Sequence, residues 1–261
     1  MKISIIGGGN MGGAIARGLS TGLLFKPEDI TVIMKASASA NRLRDSGSGL
    51  NVVASEYDSL DTADIVIVAV KPWLIEEVLL QNKDRLKNPA QILVSVASGI
   101  SLEQLAGFSV AGKSIFRVMP NTAIAEKQSM TFISTLNAQQ KDIVQIVDIF
   151  NELGKSELIE EKLLPAATSL ASCGIAYAFR YIRAAMEGGV EMGLYPNQAK
   201  EIVMQTLLGA VTLLEANGSH PEAEIDKVTT AGGITIKGLN EMEHAGFTSS
   251  VIKGLKASNV K

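Results

Sequence analysis

Short apolar runs alternate with helical segments through the first 160 residues of the chain. The runs, which are rich in β-branched side chains, cover residues 2–6, 30–34, 51–53, 65–70, 91–96 and 113–118. The run that follows Asp64 is almost entirely apolar, which is typical of a strand covered on both faces of a parallel sheet. Strands that alternate with helices predict a doubly wound α/β sheet.

Two helices of this part are marked by their end residues. Ser101 and Gln104 have the spacing of a capping box, and Gly107 would end that helix. Residues 137–154 repeat apolar side chains at helical spacing between an Asn start and a Gly stop. A second, longer helix is therefore predicted over residues 137–154.

From about residue 158 the pattern is helical throughout. The predicted helices cover residues 163–193, 197–216, 221–227, 236–245 and 248–257. We therefore predict an α/β domain over residues 1–160 and an all-helical domain over residues 161–261. The two main helices of the second domain lack a broad polar face, so each carries apolar side chains on most of its surface. A domain of this size cannot bury all of these side chains by itself. A second copy of the chain, entwined about a two-fold axis, is the simplest cover, so a homodimer is expected.

Composition and charge exclude several classes of function. The chain has 261 residues, of which 46% are hydrophobic, so it can bury a core and does not have the composition of a disordered segment. A net charge of −3 indicates neither nucleic-acid binding nor binding to an anionic membrane. The single cysteine, Cys173, excludes an internal disulfide and fits a reducing, cytoplasmic compartment. The chain has only two histidines in addition to this cysteine, too few for the usual His/Cys metal site, so no metal site is expected.

Two uncharged stretches need separate interpretation. Residues 163–179 and 202–214 carry no charged side chain, but polar and small residues lower the hydropathy of the first stretch. Both are interpreted as buried helices rather than membrane spans. The apolar run at the start of the chain is too short for a secretory signal, so none is expected.

A glycine-rich motif follows the first predicted strand and opens a helix. Gly7, Gly9 and Gly12 fit the dinucleotide-binding pattern G-x-G-x-x-G. Gly7 permits the tight turn, Gly9 lets a pyrophosphate approach the backbone, and Gly12 allows the helix to pack closely on the strand. The positive helix N-terminus would then hold the phosphates. The motif predicts a Rossmann-like dinucleotide site, with an unliganded glycine-rich turn as the alternative.

The residues after the second predicted strand favour NADP over NAD. NAD sites usually place an Asp or Glu there to accept a hydrogen bond from the ribose 2′-hydroxyl. This chain has Lys35 and Ser37 instead, and its next carboxylate is Asp45. A lysine and a hydroxyl can bind a 2′-phosphate that a carboxylate would repel. We expect NADPH as the preferred cofactor and NAD as the alternative, although Lys35 alone could equally be a solvated surface residue.

Three further strand ends predict the edge of the same cleft. Ligands of doubly wound sheets bind outside the carboxyl ends of the strands. The fourth run ends in Val70-Lys71-Pro72, and the next two end in residues 96–99 and 119–122. Any one of them could be an ordinary turn, but three at one edge indicate a binding site.

A second glycine-rich turn lies between two predicted helices of the second domain. Residues 229–235 combine two glycines with three threonines, Thr229, Thr230 and Thr235. Consecutive amides in such a turn can point at one anion at the start of the next helix. A small carboxylate would fit this turn, and a plain helix–helix turn with threonine caps is the alternative.

These motifs, taken in order, resemble those of the pyrroline-5-carboxylate reductase family. The resemblance is carried by residues 5–12, 69–72, 117–122, 172–177, 220–221 and 228–235, and it spans essentially the whole chain. The segment from Gly232 to Thr235 is its most specific part. The resemblance implies NAD(P)H-dependent reduction of 1-pyrroline-5-carboxylate, a cyclic imine carboxylate, to L-proline.

The resemblance also implies a role for individual residues. The cofactor residues would be Gly7, Gly9, Asn10 and Met11 at the pyrophosphate, Lys35 and Ser37 at the 2′-phosphate, and Ala69, Val70, Lys71, Pro72, Ala97 and Asn121 along the nicotinamide half. The substrate carboxylate would be bound by Thr230, Gly232, Gly233, Ile234 and Thr235. The Thr235 hydroxyl would approach the ring nitrogen as the catalytic residue. The helical domain implies an intertwined homodimer, and some members assemble dimers into rings.

Some positions depart from the family pattern. Ala231 and Ile175 stand where proline is common, and Ser129 stands where glycine is common. These changes bear on substrate affinity more than on the class of reaction.

Two other classes of function remain as alternatives. A β-hydroxyacid dehydrogenase would place a catalytic lysine four residues after a helical glycine, where this chain has Ala178 after Gly174. A nucleotide-sensing protein without turnover would have no need of a second anion turn. A reductase of another cyclic imine also stays open.

Overall fold

The computed structural model describes residues 1–45 and 49–259. Contacts within the chain divide it into two compact units, Met1–Ser172 and Cys173–Lys261. The boundary between the units thus falls within a π-helical turn, Ser169–Cys173. The domain boundary at residues 160 and 161 stays a prediction.

One sheet forms the centre of the first unit. In the described part of the chain it has eight strands: β1 (Ile3–Ile6), β2 (Ile30–Met34), β3 (Asn51–Ala54), β4 (Ile65–Val68), β5 (Ile92–Ser95), β6 (Ile115–Met119), β7 (Ser129–Leu136) and β8 (Gly154–Leu158). Their order is β3-β2-β1-β4-β5-β6-β7-β8, and the first six are parallel. The order reverses at β1, as in a doubly wound sheet, so the predicted fold class is confirmed.

Helices cover both faces of this sheet. They are α1 (Asn10–Ser20), α2 (Ser37–Arg44), α3 (Ile75–Gln81), α4 (Leu102–Gly107), α5 (Gln140–Asn151) and α6 (Leu164–Thr168). Ile15 of α1 and Phe150 of α5 pack into one apolar cluster, and Leu79 of α3 and Leu105 of α4 pack into the other. Burial on both faces explains why the parallel strands are almost wholly apolar.

Two strands were not predicted from the sequence. β7 runs antiparallel to β6, and β8 adds to β7 as a parallel edge strand. The helix predicted over residues 137–154 is also shorter, since α5 covers Gln140–Asn151. Asn137 has a φ of +58°, which is incompatible with a helix start, and Gly154 already belongs to β8.

The second unit is helical. Its elements are α7 (Gly174–Glu191), α8 (Pro196–Asn217), α9 (Pro221–Lys227), α10 (Ile234–His244) and α11 (Phe247–Ser258). The helix predicted over residues 163–193 is present as one continuous helical segment from Leu164 to Glu191, in which a π-helical turn joins α6 to α7. Within residues 1–45 and 49–259, no helix has the length and apolar character that crossing a membrane requires.

Helix α8 exposes a broad apolar surface. Ile202, Met204, Leu208, Val211 and Leu213 are between 48% and 60% exposed. Ala199 is the one residue of this helix that is buried. The sequence predicted that this helix lacks a broad polar face. In the single chain its apolar side chains accordingly remain exposed.

Candidate cofactor and substrate sites

The turn between β1 and α1 requires glycine at its first position. Gly7 has a φ of +100°, and a Cβ there would lie 2.7 Å from the carbonyl oxygen of Ala69. The Gly7 amide donates to the carbonyl oxygen of Ile33 at 2.9 Å, which fixes the turn against β2. The chain therefore leaves β1 in a conformation that brings the next residues over the sheet edge.

The N-terminus of α1 is free to bind an anion. Its N-cap, Gly9, carries no capping side chain, and the first turn contains no acidic residue. The amides of residues 10–12 precede the first helical hydrogen bond, which joins the Gly13 amide to the Gly9 oxygen at 2.8 Å. No heavy atom lies within 4 Å of the position that a Cβ on Gly9 would take. Free amides, the helix dipole and open space together fit a pyrophosphate.

A cavity of about 660 Å³ opens at this edge of the sheet. Its walls come from the glycine turn and from the chain after β2, β4 and β5. The residues predicted to bind the cofactor that line it are Gly7, Gly9, Asn10, Met11, Lys35, Ala69, Val70, Lys71, Pro72 and Ala97. The structure thus brings together residues from four separate stretches of the sequence.

Two predicted cofactor residues do not line this cavity. Ser37 is exposed as the first residue of α2, and Ser39 lines the wall instead. Asn121 is buried, and its side chain is used locally. Its Oδ1 accepts a hydrogen bond from the Ala123 amide at 3.0 Å, and its Nδ2 donates to the Ala171 oxygen at 3.4 Å. Asn121 therefore has a structural role in the first unit.

Other lining residues were absent from the predicted cofactor set. They are Gly8, Met34, Ala36, Ser39, Leu74, Val96 and Ser98. Most of them are sequence neighbours of predicted cofactor residues, so their place beside those residues was the signal that could have identified them. Ser39 had no such signal, because its place on the wall depends on where α2 begins.

The charge of the cavity wall suits an anionic ligand. Lys35 and Lys71 are the charged side chains of the wall in the described part of the chain, and no carboxylate lines it there. The absence of an acid beside the end of β2 is what the sequence predicted for a 2′-phosphate. A wall with two cations and no anion attracts a polyphosphate.

The second glycine-rich turn joins α9 to α10. Gly232 has a φ of +73°, and the Gly233 amide donates to the Thr230 oxygen at 2.9 Å, so residues 230–233 form a closed turn. Gly233 is the N-cap of α10, where neither a capping side chain nor a first-turn acid occupies the helix start. Ala231 at the usual proline position does not prevent the turn from closing.

The side chains of this turn differ in what they contact. The Thr229 hydroxyl donates to the backbone oxygens of Ile225 and Asp226, both at 3.2 Å. Thr235 lies exposed in the first turn of α10, and Ile234 is 86% exposed. The free amides of the helix start and the Thr235 hydroxyl are therefore available to a small anion.

The serine at the usual glycine position, Ser129, is buried and bonded. Its Oγ accepts a hydrogen bond from the Asn121 amide at 3.1 Å and lies 2.9 Å from the Thr131 hydroxyl. The extra hydroxyl thus joins the start of β7 to the turn after β6. Ile175 lies in the first turn of α7, next to the π-helical turn.

The sheet order, the glycine turn and the cationic cavity are those of a dinucleotide-binding protein, and the family models below place the chain among the dinucleotide-dependent oxidoreductases. Two family models match the chain, namely NADP oxidoreductase, coenzyme F420-dependent, over residues 2–99 and pyrroline-5-carboxylate reductase dimerisation over residues 161–261. Among the described residues no group of three or more His, Cys, Asp or Glu side chains could hold a metal ion.

Relatives along the whole chain identify the family. The chain is 40% identical to pyrroline-5-carboxylate reductase 1 of Dictyostelium discoideum over 99% of its own length and 49% of that relative. It is 34% identical to reductase 2 of the same organism, with 100% and 91% of the two chains covered. It is 32% identical to the Escherichia coli pyrroline-5-carboxylate reductase, and the match covers 97% of this chain and 94% of that relative. The chain belongs to the pyrroline-5-carboxylate reductase family.

Solved structures agree with this assignment. The Streptococcus pyogenes 1-pyrroline-5-carboxylate reductase is 32% identical and superimposes with a TM-score of 0.88 over 99% of this chain and 96% of the other. The Plasmodium falciparum pyrroline carboxylate reductase, solved with NADP bound, is 27% identical with a TM-score of 0.89 and covers 99% and 95%. Family membership favours the reductase over the dehydrogenase and sensor alternatives.

Proposed function

We propose that this chain catalyses the NADPH-dependent reduction of 1-pyrroline-5-carboxylate to L-proline, a step of proline biosynthesis. The observation that carries the proposal is the cavity at the carboxyl edge of the sheet, whose described lining combines the glycine turn with two lysines and no carboxylate. The anion-binding turn of residues 230–235 supports a carboxylate substrate. Membership in the family connects these two sites to one reaction.

The residues that would hold the cofactor follow from the cavity. The amides at the start of α1 would bind the pyrophosphate, and Lys35 and Ser39 of the cavity wall, with the exposed Ser37 at the start of α2, would surround the 2′-phosphate. The segments 69–72 and 96–98 would line the nicotinamide half. When bound, the reduced nicotinamide supplies the hydride that the imine carbon accepts.

The turn of residues 230–235 would hold and orient the substrate. Its helix-start amides would bind the carboxylate, and the Thr235 hydroxyl would accept a hydrogen bond from the protonated ring nitrogen. A protonated imine is already electrophilic, so no strong side-chain acid is required. The contribution of the protein is therefore placement of the imine, which explains how a chain with two histidines could perform the reaction.

Removing the Thr235 hydroxyl should impair orientation of the substrate. We expect Thr235→Ala to lower kcat/KM by about tenfold to a hundredfold, because one hydrogen bond to a charged group is lost. Thr235→Ser keeps the hydroxyl and should retain most of the activity. Thr229→Ala is the matched control, since that hydroxyl donates to the end of α9. Steady-state kinetics unchanged in Thr235→Ala would remove Thr235 from the proposed site.

Oxidation of NADPH in the presence of 1-pyrroline-5-carboxylate tests the proposed reaction directly. Turnover with formation of proline supports it. Turnover with a different cyclic imine and none with 1-pyrroline-5-carboxylate would favour the other reductase. NADPH binding without turnover of any imine would indicate a nucleotide sensor, and oxidation of a β-hydroxyacid with NADP⁺ would indicate a dehydrogenase.

The second unit supports a homodimer. The exposed apolar side chains of α8 and the match to a dimerisation family are the two supporting observations. The proposed functional division lies between residues 160 and 161, where that match begins. Sedimentation equilibrium should give twice the chain mass of 27.6 kDa, or a larger multiple if dimers assemble into a ring. A species of 27.6 kDa would contradict the dimer.

The free cysteine, Cys173, is consistent with a cytoplasmic location.

A further inference from the structure

The segment that carries one wall of the cofactor cavity, residues 96–102, is held at both ends by hydrogen bonds. Val96, Ala97 and Ser98 form this wall. At its near end the Val96 amide donates to the Val68 oxygen at 3.1 Å, and the Ala97 amide donates to the Ser95 hydroxyl at 3.3 Å. The far end is the start of α4, where the Leu102 amide donates to Oε1 of Glu161 at 2.8 Å. The wall and the first turn of α4 are thus parts of one short segment, residues 96–102.

The Glu161 carboxylate joins this segment to the middle of the sheet. The same Oε1 accepts a second hydrogen bond from Nη1 of Arg117 at 2.8 Å. The Leu102 amide has no partner within its own helix, because it belongs to the first turn. A carboxylate at that position is favoured by the helix dipole and makes charge-assisted hydrogen bonds to both donors.

Arg117 depends on Glu161 for its counter-charge. It lies on β6 in register with Ser95 of β5, so both side chains point to the face of the sheet that α4 covers. The Arg117 side chain is 13% exposed, and its Nε is buried without a hydrogen-bond partner in the described part of the chain. A guanidinium this buried needs a paired anion, so loss of the carboxylate would disturb Arg117 and α4 together.

We propose that Glu161, through Arg117 and the Leu102 amide, is a positioning residue that holds the wall of residues 96–98 for the cofactor. The inference rests on the proposed function, because it takes the cavity as the NADP(H) site. Glu161 does not line the cavity and need not touch the cofactor. Its effect is to keep Ala97, which is 4% exposed, in place against the end of β4.

The experiment compares Glu161→Gln with Glu160→Gln in the full chain. Glu160 is the adjacent carboxylate, and its ion pair with Lys162 lies at the surface, so its variant is the matched control. Binding of NADP⁺ is measured by isothermal titration calorimetry, and unfolding is followed by heat in the same buffer. We expect Glu161→Gln to raise the Kd for NADP⁺ by about threefold to tenfold and Glu160→Gln to leave it unchanged. The KM for NADPH should rise in parallel, with a smaller change in kcat.

A Glu161→Gln variant that unfolds at a lower temperature but binds NADP⁺ as tightly as the original chain would overturn the inference. If this variant does not fold, Arg117→Met combined with Glu161→Leu removes both charges of the ion pair and still leaves the Leu102 amide without a carboxylate. The double variant should show the same weakening, and an unchanged Kd there would also overturn the inference. An original chain that binds no NADP⁺ would instead refute the proposed function.

Discussion

A Gly12→Ala variant is expected to lose stability and NADP⁺ binding together. Gly12 is buried in the first turn of α1, and a Cβ there would overlap the Gly7 carbonyl oxygen and lie 2.9 Å from the Ala69 Cβ. The obstructing atoms belong to the backbone of the glycine turn and to Ala69, the residue that follows β4. Both line the cavity, so neither can shift without moving the cavity wall. We expect a loss of about 3 kcal/mol or more in the free energy of unfolding. Chemical denaturation and calorimetric titration with NADP⁺ measure the two effects.

The matched control for this prediction is Gly9→Ala. Gly9 has a φ of −70°, and no heavy atom lies within 4 Å of the position that its Cβ would take, so the added methyl group should cost no more than the roughly 1 kcal/mol by which alanine is the poorer N-cap. The same methyl group would occupy the space over the helix start where the pyrophosphate is proposed, so the affinity for NADP⁺ should fall by about tenfold or more. Equal stability of both variants would contradict the packing argument, and normal affinity in Gly9→Ala would contradict the placement of the pyrophosphate.

The six parallel strands could be predicted because their burial leaves a simple signal. The inner strands are covered on both faces, so their positions are almost all apolar, and helical segments separate the strands in the sequence. The glycine turn could also be predicted from the sequence, because the steric requirement for glycine at positions 7 and 12 arises within and next to the turn. The position of the cofactor cavity follows from these two features together with the sheet order.

The last two strands of the sheet could not be predicted by the same reasoning. β7 places Ser129, Thr131 and Ser134 in buried positions, where their hydroxyls bond to one another or to the backbone. Polar side chains at buried positions interrupt the apolar run that marks the other strands, so the sequence of β7 gave no strand signal. β8 is an edge strand with exposed Lys155 and Glu157, and its pairing with β7 is a tertiary feature.

The candidate site shows the same limit at the level of single residues. Sequence reasoning identified the segment after β2 and selected Ser37, and the structure adds Ser39 to the lining of the cavity. The difference depends on the start of α2, and helix boundaries are among the least certain features of a sequence. Asn121 was also selected, and in the structure its Oδ1 caps the turn that follows it, while its place in a cofactor site stays a prediction. A polar residue at a strand end can cap a turn, contact a ligand or do both, and the sequence alone does not distinguish these roles.

Lys113 is a buried lysine that no sequence motif indicates. It is 0% exposed, and its Nζ donates to the backbone oxygens of Leu86 at 2.6 Å and Asn88 at 2.9 Å and to Oε1 of Gln91 at 3.0 Å. These three acceptors match the three protons of an ammonium group, and none of them is charged. Burial without a counter-charge lowers the pKa of Lys113 from 10.5 to about 8. The site therefore holds a cation at neutral pH at a cost in desolvation.

The contribution of Lys113 to the stability of the protein should consequently rise with pH above about 8. Between the folded pKa of about 8 and the unfolded value of 10.5, the unfolded chain binds a proton that the folded chain has released, so alkaline pH favours the folded state. Over that interval the unfolding free energy of the original chain should gain about 3 kcal/mol relative to Lys113→Met, since each pKa unit corresponds to about 1.4 kcal/mol. Urea denaturation at several pH values measures this difference directly, and Lys87→Met, which changes an exposed lysine between the acceptors Leu86 and Asn88, is the control. Parallel pH curves for the original chain and Lys113→Met would mean that the three acceptors hold the proton as firmly as water does.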